Sequence, residues 1–174
     1  MAIRTLLATA AAALALPAMA QALTLTVDVL GPKGDKIGWA QIDTAVGGIL
    51  MRVELEKDTL EVGWHGMHFH AVGDCSDVGA YKKSGGHVGK KEGAHGLKNP
   101  RGPEPGDLPN IYVPHMHKTM VEIYVAGVSL TAAQGGMALL DEDGSALIIH
   151  ASEDDHSSQP IGGAGGRVAC ALIK

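Results

Sequence analysis

From residue 23 onward, hydrophobic and polar positions alternate with a period of two. Leu23-Thr24-Leu25-Thr26-Val27-Asp28-Val29 is the clearest stretch, and such alternation marks a strand with one face buried. Gly31-Pro32-Lys33-Gly34-Asp35 then interrupts it as a turn. The same reading predicts strands over residues 37–44, 48–55, 63–71, 119–129, 145–151 and 167–173. Short strands separated by turn signals predict an all-β chain, a sandwich or a barrel. Residues 74–110 and 152–166 carry no periodicity and are rich in Gly and polar residues. Loops of that length inside a compact domain are usually functional, so the site is sought there.

The first residues follow another pattern. Arg4 precedes an apolar run from Leu6 to Leu16, and Pro17-Ala18-Met19-Ala20 offers a small-x-small cleavage site. This predicts a cleaved secretory signal over residues 1–20 and a single domain over 21–174. The apolar run falls short of the roughly 20 residues that span a bilayer, so no membrane anchor is expected. Of the 174 residues, 45% are hydrophobic and 19% charged, as in ordinary globular domains. Only 3% are aromatic, which leaves the core to Val, Ile, Leu and Ala. A net charge of -5 argues against a nucleic-acid partner, since nothing would offset phosphate repulsion. Export to an oxidising place such as a bacterial periplasm makes a disulfide the expected state of Cys75 and Cys170, the chain's 2 cysteines. Two buried free thiols are the other reading.

Six of the 9 histidines carry candidate chemistry. His68 and His70 are two apart on a predicted strand and so share a face, while His65 has the opposite parity. His150 ends the apolar strand Ala146-Leu147-Ile148-Ile149. His87, His95 and Asp107 lie in the first long loop. A single strand histidine is more often hydrogen-bonded than ligating, but this set together points to a nitrogen-rich metal site. Imidazole suits copper and zinc, whereas calcium and magnesium prefer oxygen. A second pair, His115 and His117, reads as a polar turn, with metal capture or replacement of a missing ligand as alternatives. His156 reads as solvated.

The segment His65-Gly-Met-His68-Phe-His70 with Gly73-Asp74-Cys75 resembles the copper-site signature of copper/zinc superoxide dismutases. Gly85-Gly86-His87, Gly106-Asp107-Leu108-Pro109, Gly144 to His150 and Gly165-Gly166-Arg167-Val168-Ala169-Cys170 match further family segments in the same order. The resemblance covers nearly the whole predicted mature chain and is nearest to the bacterial branch. It implies an eight-stranded Greek-key β-barrel, an immunoglobulin-like sandwich with two long functional loops. It implies dismutation of superoxide, the substrate, to dioxygen and hydrogen peroxide, in defence against extracytoplasmic superoxide. The implied copper ligands are His68, His70, His87 and His150. His87 would also bridge to zinc, whose other ligands would include His95 and Asp107. His65 would be structural, Asp154 would link copper-side and zinc-side histidines, and Cys75–Cys170 would be the family disulfide. Arg167 would attract the anionic substrate beside copper, and its other reading is a loop anchor bonded to carbonyls. Lys82, Lys83, Lys90 and Lys91 would add positive potential. Barrels of this kind occur as monomers or homodimers, and the sequence leaves both open.

One position departs from the family. Three residues before Asp107, where a third zinc histidine is usual, stands Glu104. A carboxylate can ligate zinc, so a modified zinc site is expected, with an added negative charge that favours a protonated His87 over the metal-bridging form. A non-enzymatic metal carrier on the same fold is the rival function, since fold alone does not fix function.

Overall fold

The computed structural model describes residues 22–174, so the predicted signal segment lies outside the described residues. The strands are β1 (Thr24–Leu30), β2 (Lys36–Ala45), β3 (Gly48–Leu55), β4 (Gly63–His65), β5 (Met67–His70), β6 (Ile111–Val113), β7 (Thr119–Ala126), β8 (Val128–Ser129), β9 (Met137–Ala138), β10 (Ser145–His150) and β11 (Arg167–Ile173). Seven of them form one sheet in the order β5-β10-β11-β1-β2-β3-β7, all pairs antiparallel. The short antiparallel pair β4–β6 continues from β5 at one end and leads into β7 at the other, so the sheet curls around its core. With β4 and β5 taken as one interrupted strand, and the two-residue pair β8–β9 set aside, the strands number eight. Among the described residues, no helix is long and apolar enough to cross a membrane.

Period-two patterning puts the inward residues in one core. Ile37, Ile42, Ile49, Met51, Val53 and Leu55 from the hairpin β2–β3 meet Met67, Phe69, Leu147, Ile149, Ala169 and Ala171. Two predicted strands are broken. The one over 63–71 stops at Gly66, and the one over 119–129 stops at Gly127, whose φ of 79° a strand cannot hold. Strands β6 and β9 carry no alternation long enough to be read from sequence.

Strand β10 is buried on both faces, which explains its unbroken apolar run. Leu147 and Ile149 face the main core. Ala146 and Ile148 face a smaller cluster with Tyr81, Cys75 and Cys170, beneath the first long loop. That loop is tied to β11 by the Cys75–Cys170 disulfide, with Cα atoms 5.9 Å apart. In chain-entropy models a cross-link closing so long a loop contributes about 4–5 kcal/mol.

Candidate metal centre

Strand β5 pairs with β10 along one edge, and its other edge is covered by the loop backbone. Phe69 N donates to Gly106 O, Val88 N to Phe69 O, and Ala71 N to Gly86 O, each at 2.8 Å. Bridges His68–Asp107 and His70–His87 record the same pairing. Two distant loop segments are therefore fixed on the edge of the strand that carries His68 and His70. His150 has the parity of Ala146 and Ile148, and so faces the loops like His68 and His70. A bulge between Ile149 and His150 turns its backbone, and His150 N donates to Gly66 O at 2.8 Å.

The result is a buried set of four histidines, His68, His70, His87 and His150, with one ring nitrogen from each within 4.8 Å of the others. The other nitrogen of each ring is already bonded. His68 Nε2 donates to Asp154 at 2.7 Å, His70 Nδ1 to Gly85 O at 2.8 Å, His87 Nδ1 to Glu104 at 2.9 Å and His150 Nδ1 to Gly165 O at 3.1 Å. The facing atoms, His68 Nδ1, His70 Nε2, His87 Nε2 and His150 Nε2, have no partner. A neutral imidazole that donates through one nitrogen presents a lone pair at the other, so four lone pairs converge. Burial favours the neutral form of His68, His70 and His150. It lowers His70 to about 2, with help from the Arg167 charge, and His150 to about 3, with help from His68. The His68 pKa is lowered for the same first reason. Four buried unpaired nitrogens fit a bound cation of the copper or zinc class, and among the described residues no other partner for them is at hand.

A second buried set, His87, His95, Glu104 and Asp107, shares His87 with the first. Here the donors and acceptors satisfy one another. His95 Nδ1 donates to Asp107 at 2.8 Å and His95 Nε2 lies 3.2 Å from Asp154. Asp107 accepts from Gly96 N at 2.8 Å and Glu104 N at 2.9 Å. Burial opposes charge on His95, yet the bonds to Asp107 and Asp154 outweigh it and raise the ring to about 10. Burial would raise Asp107 and Asp154, but the bonds they accept hold both well below the usual carboxylate range. Two nitrogens and two carboxylates are also an acceptable four-ligand zinc set.

Asp154 joins the two sets through His68 and His95. Its own position is set by a residue that the sequence did not single out for this role. Asn110 donates to Asp154 O at 2.8 Å and accepts from Asp154 N at 3.0 Å, clamping its backbone. Gly162, with φ of 60°, lies so close that a Cβ there would strike the Asp154 carboxylate. His65 is no part of either set; its Nδ1 donates to His150 O at 2.6 Å and its Nε2 lies 2.8 Å from Glu61 O.

One expectation is corrected and one is kept. His156 is not solvated: its side chain is 12% exposed and lies 3.2 Å from Asn110 and 3.7 Å from Asp154, because the second loop folds it inward. His115 and His117 supply no missing ligand; they sit exposed on the turn between β6 and β7, and Glu104 occupies the place instead.

Arg167 is both anchored and displayed. It donates to Tyr81 O at 2.6 Å, Ser84 Oγ at 2.9 Å and Gly85 O at 2.7 Å. It also lines, with His150, Lys82 and Gly165, an open cleft of about 630 Å³. Of the four lysines considered, Lys82 is the one that lines this cleft. Ser84 was invisible as a site residue, since a buried serine beside a glycine pair has no distinctive spacing.

The comparisons with known proteins agree with this geometry. The family model described as copper/zinc superoxide dismutase (SODC) matches residues 37–173. A superoxide dismutase [Cu-Zn] of Caulobacter vibrioides is 45% identical over 150 residues, covering 86% of this chain and 84% of that protein. Another, from Aquifex aeolicus, is 35% identical over 158 residues, covering 90% of each. Among solved structures, a SOD-like protein from Bacillus subtilis superposes with a TM-score of 0.78 at 30% identity, covering 86% of this chain and 97% of that one. With the fold, the paired histidine sets and these matches in agreement, the chain belongs to the copper/zinc superoxide dismutase family.

Proposed function

We propose that His68, His70, His87 and His150 hold copper, that His87, His95, Glu104 and Asp107 hold zinc, and that superoxide reaches the copper through the Arg167 cleft. The chain is an enzyme of the superoxide dismutase class. The observation that carries the residue assignment is the convergence of four buried, unpartnered ring nitrogens whose opposite nitrogens are all bonded.

Held by His68, His70, His87 and His150, copper would supply a one-electron redox couple, by which one superoxide would be oxidised to dioxygen and the next reduced to hydrogen peroxide with uptake of two protons. The protein supplies the rest. Arg167, fixed by three acceptors, keeps a positive charge at the cleft wall without collapsing onto the histidines, and Lys82 adds to it. Burial of the histidines limits solvent to the cleft side. Asp154 holds the His68 tautomer while bonded to His95, which ties the geometry of one set to the other. While it ligates, His87 Nε2 carries a lone pair and no proton; once free of the metal it would take a proton from water in the cleft and pass it to the outgoing peroxide. The 1–20 segment and the disulfide support an extracytoplasmic site of action, a bacterial periplasm being the natural case.

The test is metal content and dismutation rate on the same purified protein, with His87→Ala beside it. Near-stoichiometric copper and fast dismutation, both reduced in the variant, is the expected result. Bound copper with no activity beyond that of free copper would favour the carrier reading.

A further inference from the structure

His87 is the hinge between the two sets, and its orientation decides whether the copper set has four converging lone pairs or three. In the family pattern a histidine stands where this chain has Glu104, and a neutral imidazole offers no negative acceptor to a neighbouring ring. Glu104 does. It is 4% exposed, and both its oxygens are engaged: Oε1 accepts from Lys91 N at 2.8 Å and Oε2 accepts from His87 Nδ1 at 2.9 Å. Its backbone is pinned as well, with Glu104 N donating to Asp107 Oδ2 at 2.9 Å and Asp107 N donating to Glu104 O at 3.0 Å. The rival acceptor, Asp107 Oδ1, is farther from His87 at 3.3 Å and already takes the His95 proton.

A carboxylate that takes the proton on the far ring nitrogen of a metal-binding imidazole fixes its tautomer and raises its basicity. His68 has such a partner in Asp154, and His87 has one in Glu104. We infer that in the zinc-free protein Glu104 takes over the orienting role of zinc at His87, so that the copper set is complete without zinc. Glu104 is thus a positioning residue for copper, in addition to being a zinc ligand when zinc is bound. This rests on the assignment of His87 to copper.

The experiment is a Cu(II) titration of the zinc-free, disulfide-intact protein against a competing chelator, with paramagnetic resonance spectra to count nitrogen ligands, repeated after adding Zn(II). Wild type should bind one copper with a four-nitrogen spectrum, and zinc should change its affinity little. Glu104→Gln keeps the side-chain shape and the bond from Lys91 N, but the amide NH2 then faces His87 Nδ1 and favours the wrong tautomer. Its zinc-free copper affinity should fall about 10–100-fold, the usual cost of losing an outer-shell partner, with loss of one nitrogen from the spectrum. Glu104→His should show the same loss without zinc and recover when zinc is added. If both zinc-free variants match wild type in affinity and spectrum, or if zinc tightens copper in wild type tenfold or more, the inference is overturned. A wild-type protein that takes up no copper in either zinc state overturns the His87 assignment itself, a distinguishable result.

Discussion

In the four-histidine set, each ring has one bonded nitrogen and one buried nitrogen with no partner. In the carboxylate-rich set beside it, His95, both carboxylates and the Nδ1 of the shared His87 are already paired with one another, with Asp154 or with backbone N–H groups. The first set is costly to keep empty, since an unsatisfied buried polar group costs about 1–3 kcal/mol. The second compensates its own charges and loses hydrogen bonds when a cation enters. Their supports differ too. His68, His70 and His150 come from β5 and β10, whereas the second set lies wholly in the first long loop. One set is preorganised for a metal, and the other is stable in its absence.

The largest effects should separate the two sets directly. His150→Ala should abolish stoichiometric copper binding and reduce dismutation to the level of free copper, while His95→Ala should leave copper bound. Equal copper loss in both variants would mean that the sets form one indivisible unit. Asp154→Ala, which touches both, should weaken copper about 10–100-fold. Gly162→Ala should do part of the same damage by displacing the Asp154 carboxylate, read by the same chelator competition.

The metal-free protein should show the contrast as a pH profile in urea unfolding with the disulfide intact. Folded His70 and His150 sit at about 2 and about 3, below their unfolded value, so the unfolded chain binds protons that the folded chain refuses. Stability should therefore fall with acid from about pH 6.5 towards pH 3, by about 1.4 kcal/mol per pH unit for each histidine. His95 acts oppositely. Raised to about 10, it contributes fully below about pH 6.5, and that contribution is lost as pH rises through its folded value. A flat profile on the acid side would contradict the neutral, buried state of His70 and His150. The smallest effect concerns the cleft: Ser84→Ala removes one acceptor from Arg167 and should cost about 1 kcal/mol in stability. Azide should also bind the copper-loaded variant more weakly, and unchanged azide affinity would show that the two carbonyls suffice.

The sequence determined a good deal by itself. Period-two alternation located most strands because a strand with one buried face must alternate, and parity placed His65 apart from His68 and His70. The spacing of Glu104 from Asp107, and its departure from the family histidine, were also visible in the chain alone. The breaks at Gly66 and Gly127 were not, since a kink changes direction without changing alternation. Only the tertiary structure brought the loop segments at 86–88 and 105–107 onto the free edge of β5, through backbone bonds that side-chain patterns do not encode. It alone revealed the Asn110 clamp on Asp154, the inward fold of His156 and the three acceptors of Arg167. The physical reason is common to all of these. Alternation and motif spacing record which residues are buried or reactive, but the partner of each hydrogen bond depends on which distant loop comes to lie against it.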